Sequence, residues 1–132
     1  MIDKKAKAYQ EMAPMLAEFV RDLNDLSKDN WWVLVEGLRD ESALRTIGYS
    51  GGLLTASSLG RRGRETLGTA KGVVVLTDLD REGAALASRF VKQLRHSGVK
   101  VSLDERRRLK GILRGIFLHI ENLSRFGDEE RP

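Results

Sequence analysis

Asp78 and Asp80 stand one residue apart, directly behind the apolar run at residues 73–77, and Glu82 continues the same alternate spacing. A second apolar run, residues 31–35, ends on Glu36. Carboxylates brought together repel one another, and a divalent cation removes that cost. Magnesium commonly takes one or two carboxylates and keeps several waters for substrate phosphates. In a chain leaving a strand, alternate residues face the same way, so Asp78 and Asp80 can address one ion, with Glu82 in line. Two plainer roles stand beside this. A single aspartate after a strand is commonly a turn or cap residue, and Glu82 opens a helix, where an acid is favourable anyway. The chain holds no cysteine and only two histidines, His96 and His119. Disulfides, thiolate zinc sites and cysteine nucleophiles are therefore excluded, and histidine-based catalysis is not expected. A metal site here is expected to be built from oxygen, which suits hard cations such as magnesium, manganese or calcium.

Periodicity predicts the elements that carry these acids. Tyr9, Met12, Ala13, Leu16, Phe19, Val20, Leu23 and Leu26 recur at spacings of three and four, predicting a packing helix over residues 5–28. Pro14 either kinks that helix or opens its main part. WWVLV, residues 31–35, reads as a buried strand. Asp40 is placed to cap a helix over residues 41–47, with Gly48 closing it. A weaker strand at 53–56 precedes RRGRETLG, a basic loop or short helix, and the strand at 73–77 follows. A helix over 82–97, with Ala85, Leu86, Phe90, Val91 and Leu94 inward, leads to a strand at 99–103. The last segment reads as one basic helix over 105–126, buried along Leu109, Ile112, Leu113, Ile116, Phe117, Ile120 and Leu123. Gly111 and Gly115 lie inside it. Each weakens a helix by about 1 kcal/mol against alanine, and together they would permit close packing on the sheet.

The alternation of strand and helix predicts a single α/β domain over residues 1–132 with its core at 31–103. Its sheet is four-stranded, mostly parallel and flanked by helices, with extra helices at both ends. Ligands gather at the carboxyl ends of such strands. If the first and third strands are neighbours, Glu36 meets Asp78 and Asp80 at one edge.

VLVEGLRDESAL and VVVLTDLDREGAALA resemble the two signature motifs of the Toprim domain, shared by topoisomerases, primases and related nucleases. The resemblance spans about residues 31–103, and TDLDREG is especially similar to the type IA topoisomerase form. It implies a Toprim-like Rossmannoid sandwich and magnesium, or manganese, held by Asp78 and Asp80, with Glu82 and Glu36 as further acids. Glu36 would be the general acid or base of phosphodiester chemistry, and Gly37 and Gly83 would let the backbone turn sharply. Asp40 matches a frequent acid after the first motif, although capping explains it equally well. Arg81 would touch a phosphate or balance the acids. Strand passage is not expected, because the only tyrosines are Tyr9 and Tyr49. The cysteine-dependent zinc module of primases has no counterpart here either. The resemblance implies the site more strongly than the reaction: a nuclease acting on RNA or DNA, or a non-catalytic metal-assisted nucleic-acid-binding module working with a partner. A phosphatase in which Asp78 attacks phosphate is a third reading, disfavoured because Arg81 and Glu82 follow the aspartates.

Net charge is +4, and residues 92–114 hold eight Lys or Arg against two acids. Arg39, Arg61, Arg62, Arg64, Arg81, Arg106, Arg107 and Arg108 are the candidate nucleic-acid contacts. Arg106, Arg107 and Arg108 sit at a helix start, where the dipole disfavours cations, and this points to a bound polyanion. Trp31 and Trp32 are better suited to packing than to base stacking. No apolar run approaches the ~20 residues of a membrane span, and MIDKKAKAYQ lacks the apolar core of a secretory signal. The expectation is a cytoplasmic protein that binds nucleic acid without a membrane, alone, as a homodimer or with a partner protein.

Overall fold

The computed structural model describes residues 4–129, with Lys5, Arg61, Arg62, Asp128 and Glu129 as backbone only. Helix α1 (Lys4–Lys28) leads into β1 (Trp31–Val35), α2 (Leu38–Thr46) and β2 (Leu53–Thr55). A 3-10 turn (Ala56–Ser58) and α3 (Arg61–Gly68) precede β3 (Gly72–Val75). Then follow α4 (Arg81–His96), β4 (Val101–Ser102), α5 (Asp104–Leu113), a 3-10 turn (Ile120–Leu123) and α6 (Ser124–Glu129). All strand pairs are parallel, in the order β2-β1-β3-β4. The first and third strands are thus neighbours, with Leu34 opposite Val75.

Pattern and burial agree along the sheet. Leu34, Val73, Val74 and Val75 are fully buried, and alternate residues serve opposite faces. Val33, Val35, Val74 and Leu76 pack with Phe19, Leu23, Leu44 and Leu109, so α1, α2 and α5 cover one face. Leu34, Val73 and Val75 pack with Leu67, Ala87, Phe90 and Leu94, so α3 and α4 cover the other. On α4 it is Ala87 rather than Ala85 that faces inward. Each tryptophan is half-buried against a glycine of an adjacent strand segment: a Cβ on Gly72 would meet the Trp31 ring, and one on Gly52 the Trp32 ring. Pro14 lies on the exposed side of α1, so the helix runs through it and the lost hydrogen bond faces solvent.

Two helices differ from their sequence reading. Gly37, not Asp40, is the N-cap of α2; Asp40 occupies the third helical position and its carboxylate accepts from the Gly37 N–H at 3.1 Å. The predicted helix over 105–126 is broken. Arg114 (φ 53) and Gly115 (φ 77) take the left-handed conformation in succession and stop α5. Gly115 is therefore a helix terminator, and Gly111, with open space around its Cα, provides no close packing. After the break the chain crosses to the sheet edge, anchored by Tyr9, Phe117 and Phe126. Their ring centroids lie 4.5–5.8 Å apart. No helix among the described residues is long and apolar enough to cross a membrane.

Candidate active site

From β1 the connection runs one way along the sheet to β2, and from β3 the other way to β4. The crevice between β1 and β3 is the point where the strand order reverses, and such a point opens a ligand site at the carboxyl edge. Glu36 leaves β1 there and Asp78 follows β3. The Asp78 N–H donates to Glu36 Oε2 at 2.8 Å, locking the two strand ends together.

Asp78 turns its carboxylate toward the C-terminal segment. Its Oδ1 accepts from the Ile120 N–H at 2.8 Å, and its Oδ2 lies 3.2 Å from His119 Nδ1. Asp80 is the N-cap of α4, accepting from the Gly83 N–H at 2.7 Å, and its Oδ2 lies 3.9 Å from the same His119 nitrogen. Leu79 donates to the Leu118 carbonyl at 2.6 Å, and Asp40 accepts from the Glu121 N–H. Residues 118–121 therefore form a second wall of the site. Beneath it, Arg106 donates to the Thr77 carbonyl (3.3 Å), to Thr77 Oγ1 (3.2 Å) and to the Asp78 carbonyl (2.5 Å). Buried Thr77 in turn donates to the Gly83 carbonyl at 2.7 Å.

Two groups of donor atoms lie within 4.8 Å of one another: Asp78, Asp80 and His119, and Glu36, Asp40 and Asp78. They share Asp78. Burial raises the Glu36 carboxyl above its ordinary pKa; the Asp78 N–H opposes this, and the Asp78 and Asp40 charges add to it. Burial likewise raises Asp40, opposed by the Gly37 N–H and reinforced by Asp78 and Glu121. The hydrogen bond to Asp78 raises the His119 imidazole. Burial lowers Arg106, opposed by Asp80, Glu36 and Asp78, yet a guanidinium stays charged. With the carboxylates ionised and His119 neutral, as a metal ligand must be, four carboxylates face the Arg106 cation, and a divalent cation offsets two of the three charges left over. Oxygen donors with one imidazole suit magnesium and manganese, the imidazole favouring manganese.

A UPF0292 protein of Pyrococcus abyssi is 37% identical to this chain over 92 residues, 69% of this chain and 70% of that one. A UPF0292 protein of Thermococcus gammatolerans is 32% identical over 124 residues, 93% of this chain and 86% of its own. The chain belongs to the UPF0292 family. No family model matches it. A solved structure of a protein from Aquifex aeolicus shares the α/β arrangement with a TM-score of 0.65 and 27% identity, over 81% of this chain and 96% of that one.

Within this UPF0292 chain the predicted site residues separate. Glu36, Asp40, Asp78 and Asp80 converge. Glu82 does not join either donor group; it is exposed in the first turn of α4, where its charge favours the helix. Gly83 is required, because a Cβ there would collide with the Asp78 carbonyl. Gly37 is not, since its φ of −153° is ordinary extended backbone with open space beside it.

The basic residues are redistributed as well. Arg106 is spent on the site's own backbone. Arg107 pairs with Asp104 and Arg108 with Asp22, each at 2.6 Å. Asp104 and Glu105 also offset the helix start, so the run of arginines requires no external polyanion. Arg39 lies 3.9 Å from Glu121, Arg81 is exposed at the start of α4, and Arg64 is exposed on α3. The side chains of Arg61 and Arg62 lie outside the described residues. His119 is the candidate site residue that sequence reasoning missed. Its signal was the pair Arg114-Gly115, which ends a helix that apolar periodicity alone would have continued.

Proposed function

We propose that this protein carries out magnesium-dependent phosphodiester chemistry on nucleic acid, as a small Toprim-like nuclease. The observation that carries the reading is the convergence of Glu36, Asp78 and Asp80 at the β1/β3 crevice, the acids and strand ends that the Toprim resemblance names. Asp78 and Asp80 hold the ion, with His119 as a further donor; manganese is the expected substitute. A bound ion supplies polarisation of a phosphoryl oxygen. Glu36, whose carboxyl is raised above its ordinary pKa chiefly by burial, moves the proton as general acid or base. Its Oε2 is fixed by the Asp78 N–H, so proton transfer belongs to the other oxygen.

End-labelled RNA and DNA, single-stranded and structured, test this with magnesium or manganese present. Wild type is expected to cleave. Glu36→Gln and Asp80→Asn are expected to lower the rate about 10²–10⁴-fold. Asparagine caps a helix as well as aspartate does, so Asp80→Asn keeps α4 in place and its loss reads on chemistry. Metal-dependent binding with no cleavage in any protein would move the reading to a binding module whose partner cuts.

A further inference from the structure

The groove between α3 and α4, on the sheet face away from α1, has no role in the site described above. It encloses about 750 Å³ and is lined by Leu59, Arg64, Arg89, Lys92, Gln93 and His96. No acid lines it. Among the described residues the side chains of Arg64, Arg89 and Lys92 make no ion pair. Arg107, Arg108 and Arg114 are by contrast paired with Asp104, Asp22 and Glu11. Two arginines of the run on α5 are paired with acids, whereas cations face one another across this groove.

The groove is connected to the acids by helix geometry. At 100° per residue, Arg81, Ser88, Arg89, Lys92 and His96 fall within one sector of α4 of about 100°. Arg81 directly follows Asp80, the cap of that helix. The stripe from Arg81 to His96 is about 22 Å long at 1.5 Å per residue, and exposed Ala85 and Ser88 keep its middle low.

We infer that this groove and stripe form the track for a nucleic-acid strand, gripped through its phosphodiester backbone and delivered along α4 to the carboxylate site. The inference rests on the reading of nucleic acid as substrate. A polyanion with regularly spaced charges is the occupant that complements a row of unpaired cations. Contacts to phosphate give binding that is indifferent to sequence and falls with salt.

Fluorescence anisotropy of a labelled single-stranded oligonucleotide, titrated across a salt series without divalent ions, tests the track. The proteins are wild type, the double variant Arg89→Glu/Lys92→Glu, and Lys7→Glu/Arg21→Glu. The last changes net charge equally at exposed positions on α1. The groove variant is expected to bind at least about tenfold more weakly and to flatten the slope of log K against log salt by about 1.4, two single-strand phosphate contacts. The α1 variant is expected to match wild type. Equal loss in both variants, no loss in the groove variant, or no binding by wild type overturns the track. Wild-type cleavage with an unaffected groove variant would sink the track and leave the proposed activity standing. Groove-dependent binding without cleavage would do the reverse.

Discussion

His119 is held against two carboxylates by a single nitrogen, and the charge on that nitrogen decides what it does. Nδ1 lies 3.2 Å from Asp78 and 3.9 Å from Asp80. As an imidazolium it stands in for a cation between them; as a neutral imidazole it completes a three-donor site. These roles predict opposite signs for one substitution. If His119 is a ligand, His119→Ala weakens metal binding, and manganese more than magnesium, because imidazole suits the softer ion. If it is only a counter-charge, its removal relieves competition and tightens both ions. The expected outcome is a loss of manganese affinity of about tenfold or more, the scale of a lost interaction at a metal centre, read by calorimetric titration of the folded variant. Tighter binding of both ions would assign His119 to charge balance alone.

Where β3 meets α4, the site depends on one close backbone approach. Gly83 packs onto the Asp78 carbonyl and donates to Asp80, while its own carbonyl accepts from Thr77. Gly83→Ala forces this turn apart and is expected to cost about 1–3 kcal/mol, as overpacking does, and to displace both aspartates. Gly37→Ala, with open space and extended backbone, is expected to stay within about 0.5 kcal/mol of wild type. Chemical denaturation of the two variants compares them directly; equal stabilities would show that the approach is not needed. That glycine was legible in sequence only by resemblance, since sterics at Gly83 arise from a residue five positions back. Strand β1 was legible to the residue, because WWVLV is too short and too apolar to be anything but a buried strand between turn signals. The pairing of β1 with β3 was not legible, since strand order is a long-range property. The C-terminal segment was misread for a different reason. Leu109, Ile112, Leu113, Phe117, Ile120 and Leu123 of the expected stripe are buried, but Ile116 is exposed, because the chain is not helical between Arg114 and His119. Burial followed the pattern except at Ile116, which the break itself turns outward, while two left-handed residues and the contact with Tyr9 chose the conformation.

At the scale of the whole molecule, the crowded acids link stability, protons and metal. Glu36 and Asp40 have raised pKa values, so the folded chain binds more protons than the unfolded chain at pH values between their ordinary and raised positions. Stability therefore falls as pH rises through that window. His119 is also raised, and what its charge contributes is present in acid and lost as pH climbs through its folded pKa. Both effects run the same way: without divalent ions the protein is expected to lose stability from mildly acidic to neutral pH. A metal ion reverses this, because it binds carboxylates and imidazole only once their protons have left. At one hundred times its Kd, an ion specific to the folded state adds about 2.7 kcal/mol. Each kcal/mol moves the Tm of a domain this size by about 4 °C, so magnesium or manganese is expected to raise Tm by about 10 °C at neutral pH. In mild acid the rise shrinks toward zero. Asp40→Asn flattens the metal-free profile by removing one strained carboxylate, and asparagine retains an oxygen for the Gly37 N–H. Thermal unfolding at two pH values, with and without the ion, measures all three quantities. A metal-induced shift that is absent at neutral pH, or equal at both, would show that these carboxylates are not where the ion binds.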